Sequence, residues 1–150
     1  MDKGSYVLVL ELPEEQLIPA GSLGIIDFRS GYYGYVGSAL NGLESRLNRH
    51  LRKNKKLRWH IDYLLQKVSI SAIITCRVDR KIECDIARAL SNRFHSVPGF
   101  GSSDCRCRSH LYFSTADMKK EITEELVLLG LNPELEEVPS GEATMIRSTT

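Results

Sequence analysis

Apolar positions near the N-terminus follow the spacing of β-strands. Residues 6–12 form an apolar run with residues typical of β-strands, which predicts a central strand. Residues 23–28 and 32–37 predict two further strands with a turn at 29–31, and residues 13–21 predict a loop. We therefore expect the first 38 residues to form an antiparallel meander.

Beyond the third strand the apolar spacing becomes helical. A stripe with the period of an α-helix is formed by Leu40, Leu43, Leu47 and Leu51. We expect Asn41 to cap this helix, with Glu44 at the third position reaching back to it. Further along, the pattern predicts in order a short helix at 59–67, a strand at 68–78, a helix at 82–94 that Asp79 can cap, a loop at 97–103, a strand at 110–113 and a helix at 116–129.

These elements predict an α/β fold of the α+β type, with a central, mainly antiparallel sheet flanked by helices. The length of 150 residues suits one domain, which we place at 1–138, followed by a flexible tail at 139–150. No apolar run approaches the ~20 residues that span a membrane, and the N-terminus lacks the features of a secretory signal. We therefore expect a cytoplasmic protein with no membrane partner.

The near-neutral net charge of +1 hides a strong local asymmetry. Residues 46–58 contain seven lysines and arginines and no acid, whereas residues 117–137 contain seven acids and only two lysines. A basic segment on a neutral protein is typical of a nucleic-acid contact, although a solvated basic face is an open alternative. The cations for which both interpretations stand are Arg49, Arg52, Lys53, Lys55 and Lys56. Arg46 and His50 lie one turn apart on the edge of the helix, from which Arg46 can reach over the sheet.

Glu83 lies on the predicted helix at 82–94, on the apolar side with Ala87 and Leu90 and opposite Cys84. A carboxylate in that position is costly to bury unless a cation pairs with it. Two alternatives stand: a structural ion pair with an arginine, or a ligand for a hard cation such as Mg²⁺.

Two further segments offer candidate ligand groups. The loop at 97–103 has backbone amides and the hydroxyls of Ser102 and Ser103, which can cradle a phosphate, and it can equally be an ordinary connection. Cys105 and Cys107 are followed by His110, which is part of a zinc-type ligand set. A fourth ligand is needed, for which His95 is a candidate, and we therefore expect zinc to be unlikely as a cofactor.

Short motifs in the chain resemble those of GIY-YIG nucleases. Residues 4–6, ending in Tyr6, resemble the glycine-isoleucine-tyrosine element, with Ser5 in place of isoleucine. Residues 35–37, from Tyr35 to Gly37, resemble the tyrosine-isoleucine-glycine element. The long separation between the two motifs implies an inserted strand.

The chain resembles one family more closely, the domain-of-unknown-function family 123, a GIY-YIG relative sometimes fused to endonuclease III. The matching stretches are 34–39, 49–52, 59–65, 99–105 and 109–111. The resemblance covers about residues 4 to 114. It implies a nucleic-acid ligand, DNA more than RNA, and a DNA-repair partner.

The GIY-YIG resemblance also implies a metal-dependent endonuclease with specific roles for five residues. Tyr6 would help to take a proton from the attacking water, and Tyr35 would position that water or the phosphate. Arg46 would stabilise charge on the phosphoryl oxygens, with His50 as a second base. Glu83 would hold Mg²⁺ or Mn²⁺. The residues expected near the nucleic-acid backbone or in the cleft are Gly37, Ser38, His60, Asp62, Asp104 and His110.

This mechanism makes a geometric prediction. Tyr6 and Tyr35 should lie on adjacent central strands, with Arg46 and Glu83 converging on the same face of the sheet. If Arg46 and Glu83 lie on opposite sides of the sheet, the nuclease interpretation fails. Two other functions stay open: a non-catalytic nucleic-acid-binding module on the same fold, and a zinc-stabilised interaction domain.

Overall fold

Eight strands and four α-helices form in the part of the chain that the computed structural model describes, residues 2–102 and 105–139. The strands are β1 Gly4–Leu12, β2 Gln16–Pro19, β3 Ile25–Phe28, β4 Gly31–Ala39, β5 Ser69–Arg77, β6 His95–Ser96, β7 Leu111–Ser114 and β8 Glu134–Glu137. The helices are α1 Leu43–Leu51, α2 His60–Leu64, α3 Glu83–Ser91 and α4 Lys119–Leu128. A 3-10 turn lies at Gly21–Leu23.

Six of the strands form one sheet in the order β6-β7-β4-β1-β5-β8, and every neighbouring pair is antiparallel. This confirms the predicted fold class. β1 lies between β4 and β5 because it is apolar on both faces: Tyr6 and Leu8 face one core and Val7 and Val9 face the other.

The predicted three-strand meander is wrong. β2 and β3 pair only with each other, in a two-stranded sheet inserted between β1 and β4. The implied insertion is therefore a hairpin, and β2 lies where a loop was predicted. The short strand β6 and the acid-rich edge strand β8 have no strand-like sequence pattern, and both were missed.

Helices pack on both faces of the sheet. α1, α2 and the β2–β3 hairpin cover one face, where Leu47 and Leu64 join the core around Tyr6. α3 and α4 cover the other, where Leu90 and Leu126 pack together. Each helix thus buries one apolar stripe.

The predicted helix caps are wrong. α1 has Gly42 at its N-cap, and the backbone N–H of Glu44 donates to both carboxylate oxygens of Asp2 at 3.3 Å. The N-cap residue of α3 is Ile82, three positions beyond Asp79, and its side chain makes no capping hydrogen bond. A residue distant in sequence thus satisfies the start of α1, as a local cap would.

No described helix combines the length and apolarity that crossing a membrane requires. The assignment of residues 1–138 to one domain stays a prediction. The predicted flexible tail falls almost entirely on residues 140–150, outside the described residues.

Candidate functional site

One cleft of about 850 Å³ opens at an end of the sheet. Tyr6 on β1 and Tyr35 on β4 form its floor, with Arg46 from α1 on one wall and Glu83 from α3 on another. β1 and β4 are adjacent in the sheet, as predicted. The structure therefore brings together four of the five residues expected to carry the chemistry.

The expectation that Arg46 and Glu83 share a face of the sheet is wrong for their helices. α1 and α3 pack on opposite faces. The two side chains nevertheless line the same cleft, because Glu83 is the first residue of α3 and lies at the end of the sheet. The positions of the two helices therefore count against the nuclease interpretation, whereas the meeting of the two side chains in one cleft is compatible with it.

Tyr6 is almost completely buried, and its hydroxyl lies 2.6 Å from Nε2 of His50. Gly37 lies opposite Tyr6 in the β1–β4 ladder. A Cβ at position 37 would overlap the Tyr6 ring and hydroxyl. The glycine of the second motif therefore makes the space that the tyrosine of the first motif occupies.

His50 lies behind the cleft, where Nε2 is hydrogen-bonded to the hydroxyl of Tyr6. Its ring is buried at 2% exposure and does not line the cleft wall. Burial, followed by the charge of Lys55, lowers the pKa of His50 to about 3. A neutral histidine behind Tyr6 can orient the tyrosine hydroxyl, but it cannot contact a substrate directly as the predicted second base would.

Burial also raises the pKa of both cleft tyrosines well above its usual range. For Tyr6, the positive charge of Arg46 opposes this effect. Both tyrosines therefore keep their protons at neutral pH, and a tyrosinate at position 6 requires additional positive charge in the cleft.

Arg46 lies over the indole ring of Trp59, with its guanidinium carbon 4.8 Å from the ring centroid. Its Nη1 donates to the backbone carbonyl of Ser38 at 2.9 Å. These two contacts hold a half-buried guanidinium at the cleft wall. Arg58, the last cation of the basic segment, and Lys81, which the sequence did not indicate, add exposed positive charge to the same cleft.

Arg49 and Asp62 have a different environment from the one predicted. Asp62 is fully buried and does not line the cleft, so its predicted place in the cleft is wrong. Its oxygens accept from both Nη atoms of Arg49 at 2.8 and 2.9 Å. Burial alone would raise the pKa of Asp62, but hydrogen bonds from Arg49 and from two backbone N–H groups outweigh this effect and lower the pKa.

The other cations of the basic segment divide into two groups. Lys53 donates to the Leu65 carbonyl, and Lys55 donates to the carbonyls of Arg49 and His50 at the C-terminal end of α1. The side chains of Arg52 and Lys56 are exposed. Contact of all these cations with nucleic acid stays a prediction.

His60 lines the cleft and connects two loops. Its Nδ1 accepts from the backbone N–H of Gly101 at 2.9 Å, and its Nε2 lies 3.1 Å from the hydroxyl of Ser22. Gly101 has φ +69°, and a Cβ there would lie 2.9 Å from the ring of Tyr35. Glycine is therefore required where this loop approaches the cleft floor.

Four metal-binding side chains meet beside Glu83. The thiols of Cys84, Cys105 and Cys107 and a ring nitrogen of His110 lie within 4.8 Å of one another. The expectation against zinc rested on the lack of a fourth ligand, and the structure supplies one, Cys84, instead of His95. A Cys₃His set is typical of zinc and not of Mg²⁺.

The helical-wheel prediction for Cys84 is also corrected. Cys84 and Glu83 both line the cleft, because they are adjacent in the first turn of α3, whose buried face is formed by Ile86, Ala87 and Leu90. Glu83 is partly buried and has Lys81 as an ion-pair partner at 3.8 Å, not an arginine.

The loop between β6 and β7 carries the remaining predicted residues. Ser102 is buried, and its carbonyl accepts from the backbone N–H of Cys105 at 3.3 Å. Ser103 and Asp104 lie outside the described residues. The phosphate cradle predicted for this loop stays a prediction.

Residues 5–130 match the family described as a domain of unknown function, DUF123. The chain belongs to the DUF123 family. No curated protein and no solved structure matches the chain. Residues 5–130 of this DUF123 chain include every described side chain of the cleft and of the Cys₃His cluster.

Sequence reasoning missed several cleft residues of the DUF123 domain. Trp59 and Tyr63, which the sequence indicated only as part of the short helix at 59–67, line the cleft. Only the number of cysteines pointed to Cys84 as a ligand. The chain has four cysteines, and two of them already lie in a ligand-like run. Pairing the run with Cys84 required the fold.

Proposed function

We propose that this DUF123 domain is a divalent-metal-dependent nucleic-acid phosphodiesterase of the GIY-YIG type. The observation that carries the proposal is the convergence of Tyr6, Tyr35, Arg46 and Glu83 on one open cleft. The first three come from the motifs and the helix position that resemble GIY-YIG nucleases, and Glu83 comes from a separate helix.

The cleft suits an anionic substrate. Arg46, Arg58 and Lys81 place three cations on its wall, and Glu83 is the one carboxylate among its described lining residues. A phosphodiester entering the cleft would meet a net positive field. DNA is the proposed substrate over RNA, and a DNA-repair partner is proposed with it. Both rest on the resemblance to domains fused to endonuclease III.

A single carboxylate fits the way in which Mg²⁺ binds in phosphoryl-transfer sites. Mg²⁺ keeps several waters there and takes one or two protein carboxylates together with substrate phosphates. Glu83 is partly exposed in the cleft, and Mg²⁺ or Mn²⁺ is the proposed cofactor. When bound there, the cation would supply Lewis-acid polarisation of a phosphoryl oxygen.

The protein side chains have separate roles in this proposal. Arg46, held by Ser38 and Trp59, donates to phosphoryl oxygens as negative charge develops on them. Tyr6 orients the attacking water through its hydroxyl, which His50 fixes from behind. Its raised pKa means that Tyr6 accepts a proton only when nearby positive charge stabilises the tyrosinate. Tyr35 contacts the phosphate from the next strand.

A cleavage assay tests the proposal. Structured DNA and RNA substrates are incubated with the full chain in Mg²⁺ or Mn²⁺, and nicking is compared between variants. Arg46→Ala should lower turnover by about 10²–10³-fold, the usual effect of removing one preorganised donor. Glu83→Gln should lower turnover and raise the Mg²⁺ concentration required, because it keeps the shape but removes the charge.

Matched controls come from the same chain. Arg88→Ala and Asp85→Asn change exposed residues of α3 outside the cleft, and both should cleave like the parent chain. Binding without metal-dependent cleavage on any substrate would make the domain a non-catalytic nucleic-acid-binding module. Full activity in both Arg46→Ala and Glu83→Gln would refute the site.

A further inference from the structure

We propose that Cys84, Cys105, Cys107 and His110 bind one structural Zn²⁺ ion that joins the β6–β7 loop to the first turn of α3. The four donor atoms come from two separate parts of the chain and lie within 4.8 Å of one another. Cys105 Sγ and His110 Nε2 are only 3.4 Å apart. No other group of three or more histidine, cysteine, aspartate or glutamate side chains in the described residues is placed to hold a metal ion.

The distances suit tetrahedral zinc. With Zn–S at ~2.3 Å and Zn–N at ~2.0 Å, a tetrahedral site places two sulfur ligands about 3.8 Å apart and a sulfur and a nitrogen ligand about 3.5 Å apart. Cys105 Sγ and His110 Nε2, at 3.4 Å, are already close to the sulfur–nitrogen value, and small rotations of the other side chains complete the shell. The backbone carbonyl of His110 accepts from the backbone N–H of Val36 at 2.8 Å, which places this candidate ligand beside β4.

Four protein ligands leave no open coordination position, which is typical of a structural zinc site and not of a catalytic one. The zinc site is therefore distinct from the proposed Mg²⁺ site at Glu83. It stands on the cluster geometry and does not depend on the proposed nuclease activity.

The site has a clear structural consequence. Within the β6–β7 loop, the backbone N–H of His110 donates to the carbonyl of Phe100, and the loop is held to the sheet by the backbone N–H of Val36, which donates to the carbonyl of His110; each bond is 2.8 Å long. Neither bond reaches α3. Cys84 would connect the loop to α3 through zinc, directly beside Glu83. The ion thereby fixes the wall of the cleft that carries the carboxylate.

Zinc content tests this inference. The full chain is purified under reducing conditions without chelator, and its zinc is measured by elemental analysis. We expect one zinc per chain, released when a mercurial titrates the thiols. Replacement by Co²⁺ should give the intense visible absorption of a tetrahedral thiolate complex. Removal of zinc should lower the melting temperature and speed amide exchange in residues 83–87 and 105–110, because binding to the folded chain stabilises it.

Two cysteine variants give a matched comparison. Cys107→Ser should lose the zinc, whereas Cys76→Ala should retain it, because Cys76 is buried on β5 outside the cluster. If Cys107→Ser does not fold, zinc release and the Co²⁺ spectrum of the parent chain still decide the question. A reduced parent chain that binds no zinc from zinc-supplemented medium would overturn the inference. So would full zinc retention in a folded Cys107→Ser chain.

Discussion

Replacing Asp62 with asparagine tests the buried ion pair beneath the basic helix. Oδ1 of Asp62 accepts from Nη1 of Arg49, while Oδ2 accepts from Nη2 of Arg49 and from the backbone N–H groups of Arg58 and Trp59. In Asp62→Asn the amide oxygen can still accept the three hydrogen bonds that Oδ2 accepts in the parent chain. Its NH₂ group must then face an arginine donor, so one charge-assisted hydrogen bond becomes a donor–donor contact.

The expected cost follows from this arrangement. Breaking a buried ion pair by removing one partner costs about 3–5 kcal/mol. The Arg49 side chain keeps 17% exposure, so water partly solvates it and the lower end applies. We therefore expect the free energy of unfolding of Asp62→Asn to fall by about 3 kcal/mol. At about 2–4 °C per kcal/mol for a chain of this size, its melting temperature should fall by roughly 6–12 °C.

Urea and thermal unfolding followed by circular dichroism measure this change. Asp85→Asn is the matched control, because Asp85 pairs with Arg88 at 3.4 Å on the exposed surface. That pair should contribute less than about 1 kcal/mol. The folded-state pKa of Asp62 is lowered, so the stabilisation is present above the unfolded pKa and is lost as pH falls through the folded value. The stability difference between parent and Asp62→Asn should therefore shrink below about pH 4. Equal stability of Asp62→Asn and Asp85→Asn at pH 7 would refute the reasoning.

Three further predictions concern the cleft and the basic helix. Gly37→Ala should displace the Tyr6 hydroxyl, lower the free energy of unfolding by about 1–3 kcal/mol and lower any metal-dependent cleavage; parent-like values would show that the strands adjust freely. The pKa of His50 is lowered to about 3, so the unfolded chain takes up a proton that the folded chain excludes, and stability should fall as pH drops from about 6.5. Urea titrations at several pH values should show this slope reduced in His50→Gln, and an identical slope would contradict a buried neutral histidine. Arg52→Glu and Lys56→Glu should each reduce the slope of log binding constant against log salt concentration by about one per lost phosphate contact. An unchanged slope would mean that the basic segment is a solvated face and does not contact nucleic acid.

Local patterns in the sequence predicted the strands and helices whose apolar residues keep a single period along the element, and their ends were correct to within a few residues. The strand around Tyr6, the helix around Leu47 and the helix beginning near Glu83 lie where their periodicity places them. Such patterns predict an element because a strand or helix must present an apolar face to the core along its own length. The resemblance to GIY-YIG nucleases also predicted that Tyr6 and Tyr35 would lie on adjacent strands.

The same local patterns could not predict which distant groups meet. Asp2 meets the start of α1 across 42 positions, and Asp62 satisfies Arg49 from the following helix. Neither contact produces a periodic pattern in the sequence, because each depends on one side chain and on the path of the chain between the two partners. The strand β8 was missed for a related reason: its exposed, acidic residues show no apolar alternation, and only pairing with β5 makes it a strand.

By itself, the sequence determined the α+β class, the central strand and the two tyrosine motifs, because each is encoded by neighbouring residues. The tertiary structure alone decided that Arg46 and Glu83 reach one cleft from helices on opposite faces of the sheet. It also decided that Cys84 completes the donor set of Cys105, Cys107 and His110. A metal site needs a few atoms placed in three dimensions, and the fold brings them together from positions whose spacing in the sequence carries no signal.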